Sequence, residues 1–120
     1  MDSKSMLFAF PLNEKELASL NKAMSLKAEG FIIENDVLVK YTGSANDVVI
    51  PEGIKIIGKA AFKECKKVIS VSVPDSVITI EEEAFKGCVH LDEINLPNSV
   101  TFIGREAFAE CYEIEFLTFW

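Results

Sequence analysis

The 120-residue sequence is poor in the side chains and motifs on which most enzymes depend. It holds one histidine, His90, and no serine or cysteine is spaced to form a recognisable nucleophile motif with it. Glycine-rich phosphate loops are absent, and the acidic run at residues 81–83 is expected on a short solvated turn, not in the cleft that paired catalytic carboxylates need. We therefore predict no enzymatic activity, no catalytic residues and no cofactor.

Long apolar segments are lacking as well. The longest apolar stretch near the start, residues 6–12, is far shorter than the roughly 20 residues of a membrane-spanning helix, and no convincing signal-peptide cleavage site follows it. The chain is acidic, with 12 basic and 19 acidic side chains and a net charge of −7. Because phosphate binding needs a broad basic face, we expect no binding of nucleic acid. The short apolar stretch and the missing cleavage site predict no membrane insertion and no signal peptide.

What the sequence does contain is a repeat. Three consecutive 23-residue segments, called units one to three below, cover residues 51–73, 74–96 and 97–119 and align without a gap. The positions identical in all three are Pro51, Pro74 and Pro97; Ile57, Ile80 and Ile103; Ala61, Ala84 and Ala107; Phe62, Phe85 and Phe108; and Cys65, Cys88 and Cys111. A fixed period of this length predicts a solenoid in which equivalent side chains stack, with the phenylalanines in one column.

The spacing inside each unit predicts its local structure. Alternating residues such as Ile94 and Leu96 indicate a main strand with one buried face, which the next proline ends. Residues 54–57 and their copies suit a second short strand, and the segments around the Ala-Phe pair suit about one to two helical turns. Glu81 replaces the glycine found at Gly58 and Gly104, so we expect a left-handed backbone at the glycines and a different turn in unit two.

The three cysteines invite a disulfide or metal interpretation. Their identical position in the repeat instead predicts an interior column of small apolar side chains. No C-x-x-C pair occurs, and His90 should point away from Cys88, so we expect no metal site. A disulfide between two stacked units stays sterically open.

The region before the repeats predicts a cap. Residues 31–50 alternate on both sides of Asn35-Asp36, which indicates a β-hairpin followed by the first main strand at residues 47–50. Residues 13–28 begin with a capping-box spacing and place Leu17, Leu20 and Met24 on one helical face. We expect this helix to cover the amino-terminal end of the core; a dimerising or membrane-surface helix is the alternative.

The other end of the repeat is predicted to be uncovered. Residues 116–120 form a main strand with no polar capping unit after it, and Phe119 and Trp120 lie in or beside that strand. We therefore expect self-association there, as a homodimer about a two-fold axis.

The string CVHLDEINLPNSVTFIGREAF, starting at Cys88, resembles the C-x-x-L-x-x-I-x-L-P-x-x-V-x-x-I-G-x-x-A-F consensus of the BspA-like (Treponema-type) leucine-rich repeat family. The resemblance implies an α/β fold, a right-handed leucine-rich-repeat solenoid with a parallel sheet, three 23-residue repeats, an N-terminal helix and a β-hairpin cap. It also implies a cell-surface or secreted, adhesion-type protein, whereas the lack of a signal peptide leaves a cytoplasmic location open. We expect one domain over residues 1–120, divided into 1–30, 31–50 and 51–119.

Recognition of another protein is the function this architecture favours. Residues between the buried strand positions should point outward as an acidic face for a basic or mixed partner. The predicted partner-binding residues are Ser70, Ser72, Asp92, Glu93, Asn95, Glu115, Phe116 and Thr118, flanked by Ile69. A structural capping fragment or a self-associating assembly unit without a separate ligand is the alternative, and carbohydrate stacking on Tyr112, Phe116 and Trp120 is a weaker one.

Overall fold

The computed structural model describes the backbone of residues 12–119 and the side chains of residues 12–115. Within these residues one helix, α1, is followed by nine short strands. Their bounds are α1 Glu14–Ala28, β1 Phe31–Glu34, β2 Val37–Tyr41, β3 Asp47–Val49, β4 Ile56–Ile57, β5 Ser70–Ser72, β6 Thr79–Ile80, β7 Glu93–Leu96, β8 Phe102–Ile103 and β9 Phe116–Phe119. No helix in the described residues has the length and hydropathy needed to cross a membrane.

The strands form two sheets, where the sequence had predicted one. The main strands make the predicted parallel sheet, in the order β3-β5-β7-β9, and each residue pairs with the residue 23 positions further along, as Val48 does with Val71. The short second strands pair in the same way in a five-stranded sheet, in the order β1-β2-β4-β6-β8. The predicted hairpin turn at Asn35-Asp36 is present, and the hairpin β1-β2 lies at the edge of this second sheet.

Stacked aromatic rings form a column in the core. Phe62, Phe85 and Phe108 form the predicted column, with ring centroids 4.9 and 5.3 Å apart. The hairpin extends it, because Tyr41 stacks on Phe62 at 5.0 Å and Phe31 contacts Tyr41 at 5.2 Å. Offset stacking of this kind adds about 0.5–1.5 kcal/mol per pair to the burial of the rings.

The segments around the Ala-Phe pair are turns, so the helical prediction for them is wrong. Alternate backbone N–H groups in unit one donate to the next unit, from Ala60 to Glu82, from Phe62 to Ala84 and from Glu64 to Lys86. The N–H groups between them bond within their own turn. An α-helix would turn the later N–H groups of the segment toward acceptors within it and away from the next unit, so the inter-unit ladder overrides helix propensity.

This ladder requires left-handed backbone at two positions in every unit. Ala60, Glu83 and Glu106 occupy the first position with φ of 56–58°, and Glu64, Gly87 and Glu110 occupy the second with φ of 58–78°. Such a conformation costs roughly 1–2 kcal/mol per non-glycine residue. It could not be predicted from the sequence, because alanine and glutamate rarely adopt positive φ.

The expectation for Gly58, Glu81 and Gly104 is also wrong. None of the three has positive φ. The Gly58 N–H donates to Leu38 of the hairpin, and the N–H groups of Glu81 and Gly104 donate to Ile57 and Ile80 of the preceding unit. Glycine is favoured for space instead, since a Cβ at Gly58 would lie 2.8 Å from the Leu38 carbonyl oxygen. The turn in unit two therefore follows the same path as its neighbours.

Helix α1 forms as predicted but does not cover the core. Asn13 and Glu16 make the capping box, with the Asn13 side chain accepting from the Glu16 N–H at 2.7 Å. No residue of the helix is buried: Met24 is 63% exposed, and Leu17 and Leu20 are exposed as well. Only Leu26 packs against the core, because Phe31 and Tyr41 of the hairpin already close that end.

Candidate protein-binding surface

The parallel four-stranded sheet presents one side to solvent. Val48, Val71 and Ile94 point into the core, so the residues on either side of them in each strand point outward. We call this side the outer face. Its described side chains are Asp47 and Val49 on β3, Ser70 and Ser72 on β5, Glu93 and Asn95 on β7, and Ile69, Asp92 and Glu115 just before β5, β7 and β9.

Strand register aligns these residues in rows across the sheet. One row runs from Asp47 through Ser70 to Glu93, and a second from Val49 through Ser72 to Asn95. A third row, Ile69, Asp92 and Glu115, is joined by backbone hydrogen bonds from Asp92 to Ile69 and from Glu115 to Asp92. The structure therefore brings together, on one surface, the predicted binding residues whose side chains it describes: Ser70, Ser72, Asp92, Glu93, Asn95 and Glu115.

Most of the predicted residues are exposed on the outer face. Ser72, Asp92, Glu93, Asn95 and Glu115 are exposed. Ser70 is half-buried because its hydroxyl donates to the Asp47 carboxylate at 2.7 Å.

The remaining predicted positions lie at the end of the chain. The backbone register places Phe116 opposite Glu93, Thr118 opposite Asn95 and Phe119 opposite Leu96. The side chains of these three residues, and all of Trp120, lie outside the described residues.

The sequence analysis did not predict two residues of this surface, Asp47 and Val49. Val49 is 69% exposed on the edge strand, and Asp47 adds a carboxylate to the first row. The signal was available, because both lie one period before Ser70 and Ser72, but they belong to the cap, which lacks the rest of the repeat pattern.

The outer face carries unpaired negative charge. In the part of the chain that the structure describes, none of its ion pairs involves Asp47, Asp92, Glu93 or Glu115. The paired charges lie on the turns and the hairpin instead. There Lys86 bridges Glu83 at 3.3 Å and Glu106 at 3.1 Å, and hydrogen bonds from Lys63 and then Lys86 lower the pKa of Glu83. These four carboxylates lie together on the outer face, where a cationic partner could pair with them.

The cysteines form the predicted column and are free thiols. The thiol of Cys88 donates to the Phe62 carbonyl oxygen at 3.0 Å, and Cys111 repeats this bond to Phe85 at 3.1 Å. Burial raises the pKa of the Cys88 thiol to about 12, and the neighbouring Cys111 and Cys65 add to the rise. These thiols stay protonated at neutral pH, where they are poor nucleophiles and poor metal ligands.

Side chains that could carry other chemistry are dispersed. His90 is exposed. The described residues contain no group of three or more histidine, cysteine, aspartate or glutamate side chains arranged to hold a metal ion.

Comparison with known proteins decides the family. The family described as "BspA type Leucine rich repeat region (6 copies)" matches residues 32–120. The chain belongs to this family. The resemblance read from residues 88–108 is therefore confirmed, and repeats of this family are generally protein-interaction modules of bacterial surface proteins.

Solved structures show the same leucine-rich repeat fold. The leucine-rich repeat protein of Treponema pallidum is 31% identical, with a TM-score of 0.69 over 72% of this chain and 46% of that one. A leucine-rich cell surface protein from Faecalibacterium prausnitzii is 40% identical, with a TM-score of 0.59 over 62% of this chain and 19% of that one. A leucine-rich repeat protein from Bacteroides ovatus is 30% identical, with a TM-score of 0.60 over 72% and 28%.

The chain spans less than half the length of each of these three relatives. No curated protein sequence matches it at a significant level.

Proposed function

We propose that this BspA-type repeat is a non-enzymatic module that binds a basic protein through its outer face, as part of a bacterial surface or secreted adhesion-type protein. The observation that carries the proposal is the set of carboxylates on the outer face that have no ion pair among the described residues, while the ion-paired lysines and arginine lie on the turns. The surface location is supported by the F. prausnitzii relative, which is described as a cell surface protein.

The outer face suits recognition for a physical reason. Its side chains stand on strands whose backbones are tied to both neighbours, so Asp92 and Glu93 are held in place before a partner arrives. Less conformational freedom is then lost on binding than for the same residues on a free loop. Exposed carboxylates in rows also steer a basic partner to the face by long-range attraction.

Charge reversal at the centre of the outer face tests the proposal. Asp92→Lys with Glu93→Lys should weaken binding of the partner by about tenfold to a hundredfold at low salt, mainly through slower association. The measurement is affinity capture from the native environment, followed by surface plasmon resonance with the identified partner over a salt series.

The matched control carries the same change of net charge away from the outer face. Glu52→Lys with Glu64→Lys alters two exposed glutamates on turns and should leave the affinity within about twofold. Equal weakening by both variants would mean that only net charge matters, and no weakening by the first would remove the outer face from the proposal.

A second function, self-association through the last unit, is favoured by a different observation. Ile103 is 39% exposed, whereas Ile80, its equivalent one unit earlier, is fully buried. Phe108, Cys111 and Ile114 are likewise only partly buried. We propose that a second copy covers this apolar end; a role as the capping piece of a longer array is the related alternative, supported by relatives of which this chain covers less than half.

Sedimentation velocity distinguishes self-association from a monomer. The chain should dimerise at about 0.1 mM, and more strongly in high salt, because the exposed Glu106 and Glu110 of the two copies repel each other. Ile103→Lys should abolish the dimer, whereas Ile78→Lys, at an exposed isoleucine of unit two, should not. A chain that stays monomeric in both salts contradicts this second function.

A further inference from the structure

The two sheets differ at their amino-terminal edge. The five-stranded sheet is closed there by the hairpin, in which β1 pairs antiparallel with β2. The four-stranded sheet has no such cover, since β3 pairs only with β5 in the part of the chain that the structure describes. The hairpin therefore caps one sheet and leaves the outer edge of β3 open.

The direction of the backbone groups shows what this edge offers. The carbonyl of Asn46 accepts from Ser70, and the N–H of Ile50 donates to Ser72, so residues 46 and 50 face β5. Backbone groups alternate along a strand, so the N–H and C=O groups of Asp47 and Val49 face the open edge. Two residues of one strand, about 6.6 Å apart, thus present two donors and two acceptors that a further strand could pair.

A notch lies along this edge. It has a volume of about 670 Å³ and is lined by the end of α1, by the loop at residues 42–45 and by β3. Its walls are held by hydrogen bonds, from the Thr42 N–H to the Gly30 carbonyl at 2.8 Å and from the Ala45 N–H to the Tyr41 hydroxyl at 3.2 Å. The space is therefore formed before any ligand arrives, and its volume falls in the range of about 300–1,000 Å³ that is usual for ligand sites.

The charges around the notch favour a cationic ligand. Glu29 and Asp47 line it with one opposing cation, Lys27. The carboxyl end of the 15-residue helix α1 lies in the same wall and adds the negative end of its dipole. The notch also opens onto the outer face, because Asp47 and Val49 belong to both.

We propose that the open edge of β3 takes an extended, basic segment of the partner as an additional strand. This inference rests on the proposed function, in that the ligand is a protein, and it names the segment that is bound and how. Main-chain hydrogen bonds to Asp47 and Val49 supply affinity, and basic side chains at alternate positions lie toward the carboxylates of the outer face. The partner strand would extend the four-stranded sheet to five strands.

Amide hydrogen exchange with a defined peptide tests the inference directly. The probe is an acetylated and amidated seven-residue peptide in which lysine and valine alternate, added in excess to the full chain. We expect exchange of the Asp47 and Val49 amides to slow at least tenfold by NMR. The same peptide with N-methyl groups on alternate amides keeps every charge and should give no protection.

A proline variant locates the contact. Val49→Pro removes one edge N–H, and an edge strand tolerates proline because that N–H has no partner within the sheet. It should weaken peptide binding by about tenfold, while Val49→Thr, which keeps the N–H, should bind normally. Circular dichroism checks that both variants fold.

Three outcomes would overturn the inference. The first is strong protection of the Asp47 and Val49 amides in the chain alone, which would mean that the chain or a second copy already covers the edge. The second is normal peptide binding by Val49→Pro, and the third is equal binding of the N-methylated peptide. None of these affects the proposed function, because loss of the natural partner in the Asp92 and Glu93 variant is a separate measurement.

Discussion

Replacing Phe85 with alanine is expected to lower the free energy of unfolding by about 3–5 kcal/mol. Phe85 is fully buried and stacks on Phe62 at 4.9 Å and on Phe108 at 5.3 Å. The substitution opens a cavity in the middle of the column and removes both aromatic contacts, and the strands on either side cannot close over it because hydrogen bonds fix their spacing. Urea denaturation followed by circular dichroism measures the change.

Phe108 provides the matched control within the same column. Its ring is half-buried and, among the described residues, stacks on one other aromatic ring, so Phe108→Ala should cost about 1–2 kcal/mol. Equal losses at the two positions would contradict the stacked column, because they would mean that the rings do not support one another from unit to unit.

Replacing Ser72 with proline is the other change with a large expected effect, a loss of about 2–4 kcal/mol. Ser72 lies on β5, whose backbone groups at this residue face β3, as the bond from the Ile50 N–H to the Ser72 carbonyl at 3.0 Å shows. Proline removes the Ser72 N–H, which faces β3, and places its ring against β3, in a strand that has partners on both sides. Thermal and urea unfolding measure the loss.

Val49 occupies the equivalent position on the edge strand, so the two proline variants form a pair. Val49→Pro should change the free energy of unfolding by less than about 1 kcal/mol, because its N–H faces no strand of the sheet. A large loss at Val49 would show that the outer edge of β3 is covered, and a small loss at Ser72 would show that the ladder contributes little.

The repeat and its strands could be predicted from the sequence because the signal is local and occurs three times. Proline after each main strand and alternation at Ile94 and Leu96 define the strand without reference to anything else. The capping box at Asn13 and Glu16 and the Asn35-Asp36 turn depend likewise on residues a few positions apart, and both are present.

The turns could not be predicted, because their conformation depends on contacts between units. Ala60 and Glu83 are good helix formers, and only the hydrogen bonds to the next unit hold them at positive φ. Gly58 was misinterpreted for the same reason, since its constraint is the nearby Leu38 carbonyl and not its own backbone.

The prediction for α1 was wrong about its position and right about its existence. Its apolar face at Leu17, Leu20 and Met24 indicates something to pack against, and the sequence does not show that the hairpin residues Phe31 and Tyr41 already close the core. The outer face was better predicted, because successive side chains of a strand point to opposite faces of the sheet. The strand at residues 47–50 was predicted, but Asp47 and Val49 were not assigned to the outer face, because the cap lacks the rest of the repeat pattern.

The bonds between neighbouring units have a mechanical consequence. The side-chain hydrogen bonds that cross from one unit to the next join residues 20–26 positions apart, so each unit is held only by the units beside it. A pulling force applied at the two ends would unfold the units one after another. Each unfolded 23-residue unit would release about 80 Å of chain. At the proposed cell-surface location, stretching would then absorb work in steps while the remaining units stay folded.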